Sequence, residues 1–433
     1  MHMKPRAAYV AFIACLISLV LLYSFIFPSV QAIAQNQNSI LLKYEVNSVF
    51  VGILRHIISF ENPTSHKVMG GKLFVPLIRN ETARHYAILY NISSSMGRLA
   101  ILSDDSGNKY AYWSNIIIDG KQTFTVELDY YVLSFSTHYS INSSMIAEYD
   151  KSSDLYMKYT QPEELIQSDN SEILSKAQNL TNGESDVHEK VSQIYNFVDK
   201  HLSYAIQKDE RGALWALKNR TGDCSEYSYL FVALCRAAGI PARIQAGFAF
   251  HSIKETLQEG HMWAEYYLEN YGWIPVDATW QLFDTMDYRH FSSIQSIPEI
   301  MPYANYVFNY TTGPDFLDEE QNVFLKSSST NAFGEIFTEK IVKTVQKANQ
   351  AKFALFLARV FGATVIFSSE LAKAEQTFLR SEIKMQNAIE SWEANQQLAH
   401  SNVDEALRSA EEATRDAWAL IAEEFTLFIG IPI

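Results

Sequence analysis

The sequence predicts a multidomain α+β protein, and three observations predict it. Residues 38–145 break into short runs rich in β-branched and aromatic side chains, separated by turn-forming clusters. Residues 185–285 switch to an apolar helical period followed by strand-like alternation. The C-terminal hundred residues carry no proline between Pro314 and Pro432 and are rich in helix formers. With 433 residues, 48% hydrophobic and 19% charged, the chain is globular in composition and long enough for about two to four domains. A net charge of −14 argues against a large basic patch for nucleic acid, and no nucleic-acid motif is present.

The first element is apolar. Lys4 and Arg6 precede "AAYVAFIACLISLVLLYSFIF", residues 7–27, and no charged residue stands between Arg6 and Lys43. A helix of that length spans a hydrocarbon core of about 30 Å. Basic residues ahead of it place the N-terminus inside and the remainder outside. Residues 1–35 are therefore expected to be a membrane anchor, giving a single-pass cell-membrane protein with its folded part outside. Ala32-Ile33-Ala34 offers a small-x-small cleavage site, so a removed signal peptide and a secreted protein is the alternative. Asn-x-Ser/Thr triplets at Asn80, Asn91, Asn142, Asn179, Asn219 and Asn309 fit an exported chain.

Residues 36–150 are expected to form an antiparallel β-sandwich. "ILLKYEVNSVF", "VGILRHIISFEN", "GKLFVPLI", "HYAILYNIS" and "QTFTVELDYYVLSF" read as strands, with "ENPTSH", "SDDSGN" and "IDGK" as turns. A second domain spans 151–330, with its core at 185–285. "QPEELIQSDNSEILSKAQNL" is a polar connection leading into a helix. "ESDVHEKVSQIYNFVDKHLSY" places Val187, Val191, Ile194 and Val198 at helical spacing, and Ala213–Leu217 is a further helical stretch. Residues 282–330, with Pro298, Pro302 and Pro314, read as a loop-rich connection. Residues 331–433 are expected to be two or three long helices in a hairpin or small bundle, a candidate surface for self-association. Within them "FALFLARVFGATVIF" is 15 residues long and carries Arg359, short for a membrane span and better suited to a buried bundle segment.

"TGDCSEYSYLFVALCRAAGIPARIQ", residues 221–245, holds two of the three cysteines. Asp223 and Glu226 have capping-box spacing, which puts Cys224 in the first helical turn, where unpaired amides and the macrodipole favour negative charge. Gly239 and Pro241 end the helix. Tyr227, Leu230, Phe231, Leu234 and Ala238 form its apolar stripe, and Cys224 lies on the same side. Cys235 is eleven residues on, about 16 Å along the axis, too far for a disulfide to Cys224. Cys15 sits in the apolar N-terminal run. Cys224 is thus a thiol without a partner and a candidate nucleophile, whereas Cys235 reads as a core residue. No cluster of Cys and His surrounds Cys224, so no metal and no cofactor is expected.

A cysteine nucleophile needs a base and a group to orient it. "GHMWAEYYLENYGWIPVDATW", residues 260–280, reads as two strands joined around Glu269–Gly272. Alternation puts Met262, Ala264, Tyr266, Leu268, Ile274, Val276 and Ala278 on an apolar face. His261, Trp263, Glu265, Trp273, Pro275, Asp277 and Thr279 share the other face. Folding the hairpin about 269–271 brings His261 near Asp277, provided the register does not slip by one. Trp263 and Trp273 are expected to shape a substrate cleft or to pack. His251 is a rival base in a loop without an orienting acid.

These stretches together resemble the transglutaminase-like superfamily over about residues 185–285. The resemblance rests on Gly-x-Cys opening a helix, Gly-Ile-Pro-Ala-Arg entering a strand, His-x-Trp-x-Glu, and Gly-Trp-x-x-Val-Asp-x-Thr. It implies a papain-like α+β core with the cysteine helix packed on an antiparallel sheet. Cys224, His261 and Asp277 fall on the catalytic Cys, His and Asp. The preceding β-domain also looks like those found before such cores in exported microbial proteins. The implied reaction is attack of Cys224 on an amide carbonyl of a protein or peptide, with a thioester intermediate and the Cys224 N–H as one oxyanion donor. Arg243 and Glu265 match family positions and are read as a structural pair. The superfamily includes transglutaminases, proteases and peptide N-glycanases. No calcium loop of the EF-hand pattern is present, and a peptidase or amidase is favoured over a crosslinker. A non-catalytic binding or scaffold module is the reading from another class. A glycan at Asn219, five residues before Cys224, would favour it.

Overall fold

The computed structural model describes residues 41–80, 84–296 and 305–429. The apolar segment 7–27, the site at Ala32–Ala34, Cys15, Pro298 and Pro302 lie outside the described residues. Among the described residues, no helix is long and apolar enough to cross a membrane.

Six long strands come first: β1 (Glu45–Glu61), β2 (Val68–Pro76), β3 (His85–Ser94), β4 (Arg98–Ser103), β5 (Lys109–Ile118) and β6 (Thr123–His138). Helices α1 (Asp154–Thr160), α2 (Ser171–Thr181) and α3 (Val187–His201) follow, then β7 (Ser203–Tyr204), α4 (Ala213–Asn219), β8 (Thr221–Gly222) and α5 (Cys224–Ala237). Next are β9 (Ala242–Ala249), β10 (Thr256–Leu257), β11 (His261–Leu268), β12 (Gly272–Asp277), β13 (Leu282–Phe283), β14 (Thr285–Met286) and β15 (His290–Gln295). The last strands and helices are β16 (Val307–Asn309), β17 (Asp318–Ser327), α6 (Glu335–Phe361), α7 (Ala363–Ile366), α8 (Ser368–Ser391) and α9 (Gln396–Ile429).

Two antiparallel sheets form a sandwich, which is not confined to the expected residues 36–150 but also takes β10, β14, β16 and β17 from later in the chain. One has the order β10-β17-β1-β6-β14, with β3 also on β6; the other runs β16-β2-β5-β4. Their inner faces meet in one core that includes Leu54, Ile58, Leu73, Trp113, Ile116 and Val126. Along β1 buried residues alternate with more exposed ones, as a strand with one face on a core must. The two predicted strands at 40–62 are in fact the single strand β1. The pairing with β6 runs unbroken across Phe50 and Val51, where the two runs meet; the one register shift, between Val46 and Ser48, lies inside the first of them.

The loop-rich reading of 282–330 is corrected at several strands. β17 pairs along β1, with Leu54 opposite Leu325 and Glu61 opposite Asp318. β16 adds to β2, and β15 to the third sheet. β17 reads as polar because it is half-exposed and buries only Gln321, Val323 and Leu325.

The third sheet has the order β13-β12-β11-β9-β15 and carries the cysteine helix on one face. Met262, Ala264, Tyr266, Leu268, Ile274 and Val276 pack there, as alternation predicts. α5 is buried on every side rather than along one stripe, because α2, α3 and α4 close over the face turned away from the sheet. Gly239 ends it with φ of 76°.

Gly247 lies where β9 passes between β11 and β15, opposite His261 on one side and Ser292 on the other. A Cβ there would enter the Phe291 carbonyl oxygen. Gly247→Ala is expected to destabilise the protein by about 1–3 kcal/mol, read by denaturant unfolding, and to loosen β15 first.

The C-terminal helices α6, α8 and α9 pack along a seam of small residues that includes Ala351, Ala354, Ala374, Ala410, Ala413 and Ala417. The stretch "FALFLARVFGATVIF" is only half-buried: Ala354, Leu355, Ala358 and Ala363 face the seam, while Phe353, Phe361 and Val365 are exposed. The bundle docks on the sandwich. The Asn349 side chain donates to the Asn47 carbonyl at 3.0 Å, the Lys43 N–H donates to Gln386 Oε1 at 2.8 Å, and Lys352 pairs with Glu45.

Candidate active site

Cys224 is the first residue of α5, and the predicted capping box sets it there. The Asp223 carboxylate accepts from the Ser225 N–H at 3.0 Å, and Glu226 Oε2 accepts from the Asp223 N–H at 3.0 Å. Their remaining oxygens hold a loop against the helix start: Asp223 Oδ2 accepts from the Gln207 N–H at 2.9 Å, and Glu226 Oε1 from the Arg211 N–H at 2.7 Å. β7 pairs in parallel with β8, which places the exposed Tyr204 beside Gly222 at the approach to the thiol. Cys224 is half-buried and free, whereas burial keeps the Cys235 thiol protonated, far above its ordinary range.

His261 opens β11, and Asp277 ends β12. The hairpin pairs Leu268 with Gly272 and Ala264 with Val276, the register that puts His261 and Asp277 on one face. His261 Nε2 lies 2.6 Å from Asp277 Oδ2, and the ring is also hydrogen-bonded to the Cys224 side chain. With Nε2 given to Asp277, Nδ1 is the nitrogen left for the sulfur. The other oxygen of Asp277 accepts from the Thr279 N–H at 2.9 Å, Thr279 Oγ1 at 2.6 Å and the Trp280 N–H at 3.1 Å. Asp277 is thus both a turn former and the orienting acid.

Burial pushes the His261 imidazole down, but the Asp277 charge and hydrogen bond, with the Cys224 sulfur, outweigh it and raise it to about 9. Burial would raise the Asp277 carboxyl, but His261 and then His290 hold it far below the usual carboxylate range. Asp277→Asn removes the larger of the two raising influences and leaves only the Cys224 sulfur to oppose burial. The His261 titration midpoint, followed by NMR, is then expected to fall from about 9 to 6.5 or below.

Of the two roles expected of Trp263 and Trp273, shaping a cleft or packing, their positions fit packing. Trp263 is 1% exposed and packs behind the site, its ring 6.1 Å from that of His261. It lies between β9 and β12 in a central strand, where side chains on both faces are covered. Trp273 is at the far end of the hairpin, opposite Tyr267, roughly 20 Å along β11 from His261 at strand rise. There it carries the Arg243 guanidinium over its ring at 3.8 Å. The aromatic residue at the site is Trp280, whose ring lies 5.4 Å from His261 and stacks on the exposed His251 at 4.3 Å. His251 therefore flanks the site through Trp280.

Arg243 and Glu265 form the structural pair expected of them. Glu265 is fully buried and joins Arg243 at 2.7 Å, Gln245 at 2.7 Å and Arg84 at 2.5 Å. His290 escaped sequence reasoning: it stands thirteen residues beyond Asp277, on another strand, without a local motif. Its Nε2 is 3.3 Å from Asp277 Oδ2 and its Nδ1 is 2.8 Å from Asp287 Oδ1. Ligand-type atoms of His261, Asp277 and His290 lie within 4.8 Å of one another. The contacts of 2.6 and 3.3 Å onto one carboxylate oxygen are hydrogen-bond spacings, so the group reads as a chain of protons rather than as a cation's donors.

A thiol at a helix N-terminus, bonded to an imidazole that a buried carboxylate orients, is the arrangement of enzymes with a thiol nucleophile. Residues 175–278 match the family model for the transglutaminase-like superfamily, and this part of the chain is a transglutaminase-like core. Over 100 residues the chain is 34% identical to a protein-glutamine gamma-glutamyltransferase of Pseudomonas aeruginosa, a stretch that is 21% of this chain and 15% of that protein. Among solved structures, a candidate cysteine protease from Cytophaga hutchinsonii is 19% identical and covers 66% of this chain and 95% of its own, with a TM-score of 0.49. The periplasmic domain of TgpA from Pseudomonas aeruginosa is 16% identical and covers 59% of this chain and 95% of its own, with a TM-score of 0.29.

Proposed function

We propose that the chain is a cysteine enzyme acting on amide bonds of proteins or peptides, with hydrolysis as its outcome, and that Cys224, His261 and Asp277 carry the reaction. The supporting observation is the continuous chain from the Cys224 thiol through the His261 ring to the buried Asp277 carboxylate. His261 takes the thiol proton, giving a thiolate beside an imidazolium. The sulfur adds to the amide carbonyl carbon. The Cys224 N–H, at the first helical position and without an intrahelical acceptor, is available to stabilise the developing oxyanion. Collapse breaks the C–N bond, and the His261 proton goes to the leaving amine. Water, deprotonated by His261, then attacks the thioester, releasing the acid and regenerating the thiol.

Crosslinking is the second reading. It is favoured by the activity in the name of the Pseudomonas aeruginosa relative, although that match covers only 15% of the relative. In that case a primary amine replaces water as the attacking group. A non-catalytic module would have no use for the intact proton chain. Product analysis with a glutamine-containing peptide, with and without a primary amine, distinguishes the outcomes. Free acid or cleaved peptide regardless of amine supports hydrolysis, the amine adduct supports crosslinking, and unchanged peptide refutes both. Placement at the outer face of a membrane, through residues 7–27, belongs to the same proposal.

A further inference from the structure

His290 is buried, 1% exposed, and each of its ring nitrogens meets a carboxylate oxygen. A neutral imidazole has one N–H donor and one acceptor, while an ionised carboxylate only accepts. A ring lodged between two carboxylates therefore donates from both nitrogens, provided both acids are ionised. Asp277 Oδ1 already accepts three hydrogen bonds. Asp287 accepts from the Arg289 N–H and Nε–H, each at 2.9 Å. Both acids are held below the ordinary carboxyl range.

We propose that His290 is a positioning residue that donates from both ring nitrogens, clamped between Asp277 and Asp287, and that it fixes the Asp277 carboxylate toward His261 while sharing with His261 the same carboxylate oxygen. Its bearing on the reaction rests on the catalytic reading given above. Asp277 Oδ2 is shared by two rings: His261 at 2.6 Å and His290 at 3.3 Å. The two rings stand 5.8 Å apart, and the rings of Trp263 and Trp280 pack across His290 edge-on at 5.3 and 4.8 Å. These rings exclude water and fix the imidazole plane. The charged or titratable groups around His290 are Asp277 from β12, Asp287 and Arg289 from the segment before β15, His261 from β11 and His85 from β3. His85 is buried and held neutral, its pKa lowered to about 3 by burial and by Arg84. Arg289 is turned to Asp287 and to the Trp280 ring, so the cation facing His261 across the shared oxygen is the His290 ring. A positive charge there draws on the same carboxylate and opposes a second proton on His261.

The test uses the full chain with ¹⁵N-labelled histidine, and reads ring protonation by NMR. At pH 8 the His290 signals, assigned by their loss in His290→Gln, are expected to show both nitrogens protonated. The midpoint of His261 is expected to rise in His290→Gln by about one pH unit. In Asp287→Asn, which lets His290 become neutral without removing its ring, it should rise by less. This second variant serves if the first fails to fold. A His290 ring neutral at pH 8, or a His261 midpoint unmoved in the folded variants, overturns the proposal; a packing role alone would not move that midpoint. If both signatures hold but the wild-type thiol is inert toward amides, the clamp stands and the catalytic reading fails.

Discussion

Cys224→Ala is expected to abolish amide turnover, a loss of about three to six orders of magnitude, while leaving the fold intact. The side chain is half-buried at a helix start, and the cap beneath it is built by Asp223 and Glu226, so removing the sulfur costs little packing. His261→Ala should cost nearly as much, because the thiolate then lacks its imidazolium and the leaving amine lacks its proton. The double variant should be no slower than either single one, since the two side chains act as a unit. Steady-state rates on a peptide or glutamine substrate, with circular dichroism to establish folding, check all three. Losses that add as independent factors would contradict a shared proton chain.

The second large effect is on stability. Glu265→Ala leaves Arg84 and Arg243 buried around an empty position, and removing one partner of such a group costs about 3–5 kcal/mol. Arg84 lies just before β3 of the sandwich and Glu265 in the sheet beneath α5, so the carboxylate joins the two parts of the molecule. Burial alone would raise the Glu265 carboxyl, but Arg243 and then Arg84 hold it down at about 2. A depressed acid contributes stability that is present above its ordinary value of 4.5 and is lost as pH falls toward about 2. The wild-type protein should therefore weaken in that interval, and Glu265→Gln should weaken less steeply there. Urea unfolding at pH 7 and over the acid range measures both effects. Unchanged stability of Glu265→Ala would show that the buried pair is dispensable.

The site was legible where its signals are local. Asp223 and Glu226 three apart announced the cap, and alternation in "GHMWAEYYLENYGWIPVD" placed His261 and Asp277 on one face. The same alternation put Trp263 on that face but could not say that neighbouring strands would bury it. His290 was hidden because strand order is a non-local property: β15 joins β9, so a residue late in the chain arrives behind Asp277. β17 was hidden for a related reason. It is polar along most of its length and becomes a strand by pairing with β1, more than two hundred residues earlier. The C-terminal helices were legible by composition and freedom from proline, but not which side of 353–367 faces the seam.

The most direct test of the central claim is the rate at which iodoacetamide alkylates Cys224 at pH 6, with the modified peptide located by mass spectrometry. A free cysteine is only about 0.3% ionised at that pH. A sulfur activated by the His261 ring should react at least about tenfold faster than free cysteine, and His261→Ala should return it to the free rate. Alkylation no faster than free cysteine, and indifferent to the loss of His261, would contradict the account.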